Sequence, residues 1–476
     1  MIQTVVVGAG PAGLAASYRL AHHPNQRVLL LERAPAPGGL AAGFRHGEHT
    51  LDFGPHRLHA GTDPQVLDDL RRLLGDELRV RPRRGRIRID GRYLPYPIGP
   101  ASILRLGLRR TVRLGIGAVA ARGLRRWKRA DAPPSYASAL IARFGEPLYR
   151  LFYGPYAEKV WGVAGTEIAA DQAEKRVNQR GVADLLRSAF GRGPGRWYYY
   201  PEGGFGRIPA AYHHALRRGE LARRARVACA TTVEAVEWDD RGVRAVRYAP
   251  NDGGLAERTA LDHLVWTAPL PELVRRLQPA APLEVRCAAQ RLRHRAVVLC
   301  YVVLNVPRVG TADTYYFPER RFPFNRVIEQ KNFSPAMAPP DRTVLGMDLA
   351  CDAGDVVFTA SDEQLAALVL PALREAGLAR QEQVVEVFSR RFAHGYPIYD
   401  FGYQEALTPL MDWLGRIPNL WLIGRQGLFL HNNTHHSLLM GYRAADAISL
   451  AEELAARDQS DWHAALAEFA AFRVAD

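Results

Sequence analysis

No stretch of the chain limits its fold more than Val5-Val6-Val7-Gly8-Ala9-Gly10-Pro11-Ala12-Gly13-Leu14-Ala15-Ala16. An apolar run, a glycine turn and the opening of a helix follow one another there. A second apolar run, Val28-Leu29-Leu30-Leu31, then ends in Glu32. The glycines stand at G-x-G-x-x-G spacing: Gly8 permits the tight turn, Gly10 lets a pyrophosphate approach the backbone, and Gly13 lets helix and strand pack closely. The helix N-terminus offers free N–H groups and the positive end of its dipole to phosphate. Glu32, about twenty residues further on, is placed to accept hydrogen bonds from a ribose. Strand, turn, helix, strand and acid in this order predict a Rossmann-like dinucleotide site.

The continuation selects the dinucleotide. Arg33-Ala34-Pro35-Ala36-Pro37-Gly38-Gly39-Leu40 leads the second strand into a second glycine turn. That E-(R/K)-x4-G-G pattern resembles the N-terminal signature of FAD proteins related to the amine oxidases and the nucleotide-sugar mutases. A site that only borrows NAD has no need of the second turn. FAD is therefore expected, with Gly8, Gly10, Gly13, Glu32, Arg33, Gly39 and Leu40 against it.

At 476 residues the chain exceeds what one core usually supports, so more than one domain is expected. No apolar run reaches the roughly eighteen residues of a transmembrane helix, and from the immediate opening into a core strand no signal peptide is expected. Four scattered cysteines without a C-x-x-C suit a reducing cytoplasm and favour neither zinc nor disulfides. The net charge of +14 is carried by arginine more than lysine. It suits an anionic ligand, a membrane surface, or simply arginines on solvated faces. No nucleic-acid fold signature accompanies it.

Further along, 43–53 reads as a hairpin leading into Gly54-Pro55-His56-Arg57-Leu58-His59, residues 67–80 as a helix, and 85–94 as a hairpin turning on Asp90-Gly91. Residues 101–130 place arginines at four-residue spacing among aliphatic side chains. They predict a basic helix pair interrupted at Gly115 and Gly117, which either lies on an anionic bilayer or packs on the protein with a solvated arginine face. An aromatic-rich stretch, 143–162, suggests either a stacking surface or a helical core. In a helix over 167–180, Arg176 and Arg180 would share a face. Strands are expected over 225–248, 262–269, 295–305, 342–350 and from 419 into a glycine turn. The strand at 262–269 would rejoin the FAD sheet, making the substrate part an insertion. Three histidines in 431–436 lack a nearby carboxylate or cysteine to complete a metal site.

Several of these segments line up with one family. Phe53-Gly54-Pro55-His56-Arg57-Leu58-His59 resembles the Y-G-P-H-I-F-H of the UDP-galactopyranose mutases. Tyr156-Ala157-Glu158-Lys159-Val160-Trp161-Gly162 resembles their Y-T-E-K-Q-W-G, and Lys175 through Arg180 keeps register with K-R-I-P-V-R. Arg326 to Phe333 resembles R-x-x-E-Y-K-H-F, Tyr396-Pro397-Ile398-Tyr399-Asp400 resembles Y-P-V-N-D, and Gly424-Arg425-Gln426 resembles the closing G-R-L.

The resemblance implies an α/β protein: a Rossmann-like FAD-binding domain (1–95, 200–270 and 415–450), an inserted helical region (96–199), and a mixed-sheet substrate domain (271–414). It implies a flavin-dependent isomerase that interconverts pyranose and furanose forms of a nucleotide sugar, with reduced flavin N5 as nucleophile and no net redox change; the cysteine usage points to a cytoplasmic location. Catalytic roles would fall to His56, Arg180, Arg326 and Arg425. Gly424 and Arg425 would join the cofactor site, while Tyr156, Trp161, Arg176, Arg180, Arg326, Tyr396, Asn432 and Asn433 would meet the substrate. Two departures keep an oxidase or desaturase of the amine oxidase or protoporphyrinogen oxidase type open. Phe429, His431, Asn432 and Asn433 stand where the mutases carry diphosphate-binding tyrosines, and Gln330 replaces the tyrosine of E-Y-K. Oligomeric state is not addressed by any of these features.

Overall fold

The structure, a computed structural model, describes residues 1–98, 100–124, 134–176, 197–453 and 460–474. The opening motif builds its centre. Strand β1 (Ile2–Val7) lies in a five-stranded parallel sheet between His263–Trp266 and β2 (Gln26–Leu31), with Ala225–Ala228 outside β2 and Leu420–Leu422 outside His263–Trp266. Val5, Val6, Leu30, Leu264 and Val265 are fully buried, as strands covered on both faces require. The segment expected to rejoin the FAD sheet does so, with Thr4 to Val7 in register with His263 to Trp266.

Helix α1 (Pro11–Ala21) returns across this sheet beneath the helix Thr434–Glu453. Their crossing is tight at Gly441, where a Cβ would stand 2.4 Å from the Ala12 carbonyl oxygen and 2.7 Å from the Ala16 nitrogen. Both neighbours are backbone, so only glycine lets the helices approach this closely.

A seven-stranded sheet forms the second layer, in the order Val384–Pro397, His294–Leu304, Thr343–Cys351, Arg326–Glu329, Thr314–Tyr316, Gly85–Ile89 and Arg92–Tyr96. Its pairings are antiparallel except that between Thr314–Tyr316 and Gly85–Ile89. The hairpin 85–96 does turn on Asp90-Gly91, both with positive φ. It belongs to this sheet, however, and not to the FAD-binding part to which residues up to 95 were expected to belong. A smaller four-stranded sheet is built on the hairpin Thr231–Asp239 and Gly242–Pro250.

Two helical expectations change. The helix expected over 67–80 is α2 (Pro64–Leu74), capped by the Asp63 carboxylate and stopped at Gly75, whose φ is 54°. The chain then re-extends as the strand Leu78–Pro82. In the basic segment, α3 (Pro100–Leu104) and α4 (Leu108–Leu124) part at Gly107, φ 94°, while α4 runs unbroken through Gly115 and Gly117. Residues 125–130 of that segment lie outside the described residues. Beyond it come α5 (Tyr136–Phe144), α6 (Glu146–Leu148), α7 (Gly154–Trp161) and α8 (Ala170–Arg176). The remainder of the helix expected over 167–180, with Arg180, lies outside the described residues.

Candidate active site

Three loops meet at the N-terminus of α1. Gly8 has a φ of 98°, and a Cβ there would overlap Thr267 Oγ1 at 2.3 Å. A Cβ on Gly13 would stand 1.9 Å from the Gly8 carbonyl oxygen. A Cβ on Gly10, by contrast, would meet nothing within 4 Å, so the space before the helix is open. No side chain caps α1 and its first turn carries no acid, which leaves its positive end available to an anion. The second turn folds against the first: the Gly38 N–H donates to the Ala9 carbonyl at 2.7 Å, and a Cβ on Gly39 would lie 3.2 Å from Gly10 Cα. Leu40 follows in a short helical turn. The third loop brings Gly424, φ 80°, against Ala12 and Thr267.

Glu32 closes this cradle. One carboxylate oxygen accepts the Ala9 N–H at 2.7 Å and the other the Ala34 N–H at 2.8 Å. Each oxygen keeps a lone pair for a ribose hydroxyl. Arg33 is exposed, and its carbonyl accepts from Asn251 at 2.8 Å. The open Gly10, the uncapped helix and the half-engaged carboxylate fit the adenosine diphosphate portion of FAD.

His56 lies beside the cradle. Its Nε2 donates to the Phe53 carbonyl at 2.9 Å, and its ring stacks on Phe205. Burial, reinforced by the Arg425 guanidinium, lowers its pKa to about 4, so the imidazole is neutral near pH 7. A small cavity bounded by Gly54, Pro55, Tyr301, Ile328 and Asp348 separates the Gly54-Pro55-His56 turn from the seven-stranded sheet.

Asp348, which lines that cavity, pairs with Arg326, one of three arginines that gather around one phenol, Tyr396. Arg326 Nη2 donates to its hydroxyl at 3.2 Å, while the guanidinium carbons of Arg176 and Arg425 sit 4.9 and 5.7 Å from its ring centroid. These are cation–π distances. Arg326 is already spent electrostatically. It faces Asp348 directly across paired strands and donates Nε to that carboxylate at 2.8 Å. Burial opposes the Arg326 cation, but Asp348 outweighs it and holds its pKa well above the usual value.

Among the described residues Arg425 has no such carboxylate partner. It donates to Asn432, through both the side-chain and backbone oxygens. Burial lowers its pKa to about 10, with Arg176 and Arg326 adding to the effect. The same conditions drive His431 well below its usual value: it is 2 % exposed, and Arg176 and Arg425 stand nearby. Its Nε2 is buried without a hydrogen-bond partner among the described residues.

The other predicted substrate residues divide. Trp161 is buried against Tyr136 and lies under Arg176, a packing position. Tyr156 packs by Phe152 and contributes to the field at Arg326. Asn432 is 1 % exposed and donates to Ser437, and the Asn433 N–H donates to His436. Sequence reasoning missed Asp348 and named His431 only as a departure from the mutase tyrosines. Asp348 had a signal, a lone acid in the otherwise apolar run Thr343–Cys351. Among the described residues, no three histidine, cysteine or acidic side chains converge as metal ligands.

A family model described as flavin containing amine oxidoreductase matches residues 11–449. Among solved structures, the chain is similar to a reduced UDP-galactopyranose mutase, at a TM-score of 0.78, 23% identity and 94% coverage of each chain. It is also similar to a protein of Exiguobacterium sp. 255-15 provisionally named a protoporphyrinogen oxidase. That match has a TM-score of 0.69 and 19% identity, over 94% of this chain and 99% of that one. A third likeness is to putrescine oxidase bound to putrescine, with a TM-score of 0.64 and 17% identity, over 94% of this chain and 99% of that one. Identities this low establish a common fold, which mutases and oxidases share.

Proposed function

The chain belongs to the flavin containing amine oxidoreductase family, and from that premise we propose that it is a redox-neutral, FAD-dependent mutase of a sugar nucleotide. The observation that carries this reading is the charge around Tyr396. Three guanidinium groups converge there, and among the described residues a carboxylate, Asp348, balances only that of Arg326. An ammonium substrate about 4 Å from one unpaired guanidinium would face a repulsion of about 4 kcal/mol at an effective dielectric of 20. A diphosphate meets the opposite sign, and planar guanidinium forks match its oxygens.

FAD would lie along Gly8, Gly10, Gly13, Glu32, Gly39 and Gly424, with His56 and Arg425 toward its reactive end, and when reduced it would supply a nucleophile for the anomeric carbon. The protein's own groups then have distinct tasks. Arg176 and Arg425 bind the diphosphate and hold its charge as it departs. Tyr396 orients both guanidinium groups, Asp348 fixes Arg326, and neutral His56 offers no competing positive charge. Arg180 is proposed as a further diphosphate ligand on its register with Arg176.

One observation favours a second reading, an oxidase of an anionic substrate. Phe429 is fully buried, with its carbonyl accepting from Tyr399, and Asn432 is engaged internally. The positions where mutases present tyrosines are therefore core here. Calorimetry on the flavin-loaded protein tests the charge argument. UDP should bind, and Arg176→Ala should weaken it by about 2–5 kcal/mol with Arg176→Lys intermediate. Binding of putrescine and not of UDP would contradict the proposal.

A further inference from the structure

Helices α3 and α4 contain no acidic residue. One face of α4 is packed: Leu114 and Ala121 are buried, and a Cβ on Gly117 would come within 2.6 Å of Pro147. The other face is bare. Leu108, Val112, Ile116 and Val119 are 81, 50, 65 and 68 % exposed, and Leu104 of α3 continues them at 66 %. Steps of four, four and three residues align the α4 side chains on one stripe. Arg105, Arg109 and Arg113 are exposed on the same turns. Among the described residues none of the three pairs with a carboxylate, whereas Arg110 is held by Asp90.

The geometry points to the α3–α4 face as the surface by which the protein sits on an anionic phospholipid bilayer. The aliphatic stripe would enter the boundary between headgroups and acyl chains, and the arginines would meet lipid phosphates. The helix lies in the plane of that surface and does not span it; among the described residues no helix is long and apolar enough to cross a membrane. A second copy of the chain is the poorer occupant. A twofold contact through this face would bring together only cations, with no acid on either helix to offset them. Anionic headgroups satisfy both the apolar stripe and the charge, and the net charge of +14 adds long-range attraction.

Co-sedimentation of the flavin-loaded chain with vesicles tests this. One set is phosphatidylcholine alone, the other equal parts phosphatidylcholine and phosphatidylglycerol. The protein should partition onto the anionic vesicles and be released by salt. Leu108→Ser with Ile116→Ser, and separately Arg109→Glu with Arg113→Glu, should each weaken binding at least about tenfold. Flavin absorbance and circular dichroism should not change. The proposal is overturned by an absence of binding to anionic vesicles, by equal binding to neutral ones, or by retention in both variants. A dimer in ultracentrifugation that Leu108→Ser with Ile116→Ser dissociates would assign the face to a second copy instead.

Discussion

Arg326 shows how a residue that looks like a free ligand in sequence can be a fixed part of the frame. Its guanidinium is held by Asp348 across the sheet, with side-chain exposures of 19 and 7 %. Removing one partner of such a buried pair leaves the other charge uncompensated, at a cost of about 3–5 kcal/mol. Arg326→Ala should therefore lower stability in denaturant titration as well as impair substrate binding. Arg326→Met combined with Asp348→Leu should recover most of that stability without restoring binding. Equal midpoints for Arg326→Ala and wild type would show the pair to be incidental.

Buried histidines dominate the response to acid. Burial, with His394 nearby, lowers His294 to about 3, and burial, with His59 nearby, lowers His436 to about 4. Folding stability from these groups is complete above the unfolded pKa of about 6.5 and is lost as pH falls toward the folded values. Asp52 acts in the opposite direction. Burial raises it to about 6, so its contribution is largest below about pH 4 and falls as pH rises to 6. One carboxylate shifted by about two units is outweighed by two histidines shifted by more. The unfolding midpoint should therefore drop steeply between pH 6.5 and 5, and His436→Phe should flatten that drop. A midpoint rising with acid would show Asp52 prevailing.

At the scale of elements, what holds the cofactor cradle in place is the crossing of α1 with Thr434–Glu453. Gly441→Ala puts a methyl group against backbone atoms of Ala12 and Ala16, which cannot rotate away. Overpacking of this kind costs about 1–3 kcal/mol. Because Ala12 belongs to the first turn of α1, the displacement should also weaken FAD retention, measured as released flavin fluorescence on dilution. Unchanged retention and melting temperature would show that the crossing can spread freely. Elements were legible in sequence where local chemistry decided them. The first glycine turn, the Asp90-Gly91 hairpin and the returning strand His263–Trp266 follow from turn residues and apolar runs. Pairing between distant strands was not legible. Nothing local in 85–96 shows that it joins Thr314–Tyr316, and Gly117 of α4 reads as a break because its close contact with Pro147 is tertiary.

At the scale of the whole molecule, the Gly424 loop joins the nucleotide cradle to a cationic cluster, since Gly424 packs against Ala12 and the next residue, Arg425, lies over Tyr396. The cradle was readable because phosphate recognition uses backbone and so leaves glycines at fixed spacing. The cluster was only partly readable, since Arg176, Arg326, Tyr396 and Arg425 come from four separated segments and their balance depends on Asp348. On the proposed reading, sign of charge more than fold sets the choice of chemistry, because mutases and oxidases share the fold. A mutase returns its flavin unchanged each cycle, whereas an oxidase places two electrons on it that an acceptor must remove. The decisive measurement is substrate conversion per flavin by the pre-reduced protein under strict anaerobiosis, with a UDP-sugar and no acceptor. The account predicts many equivalents isomerised. Turnover that starts only from oxidised flavin, stops after about one equivalent without oxygen and releases hydrogen peroxide in air would contradict it.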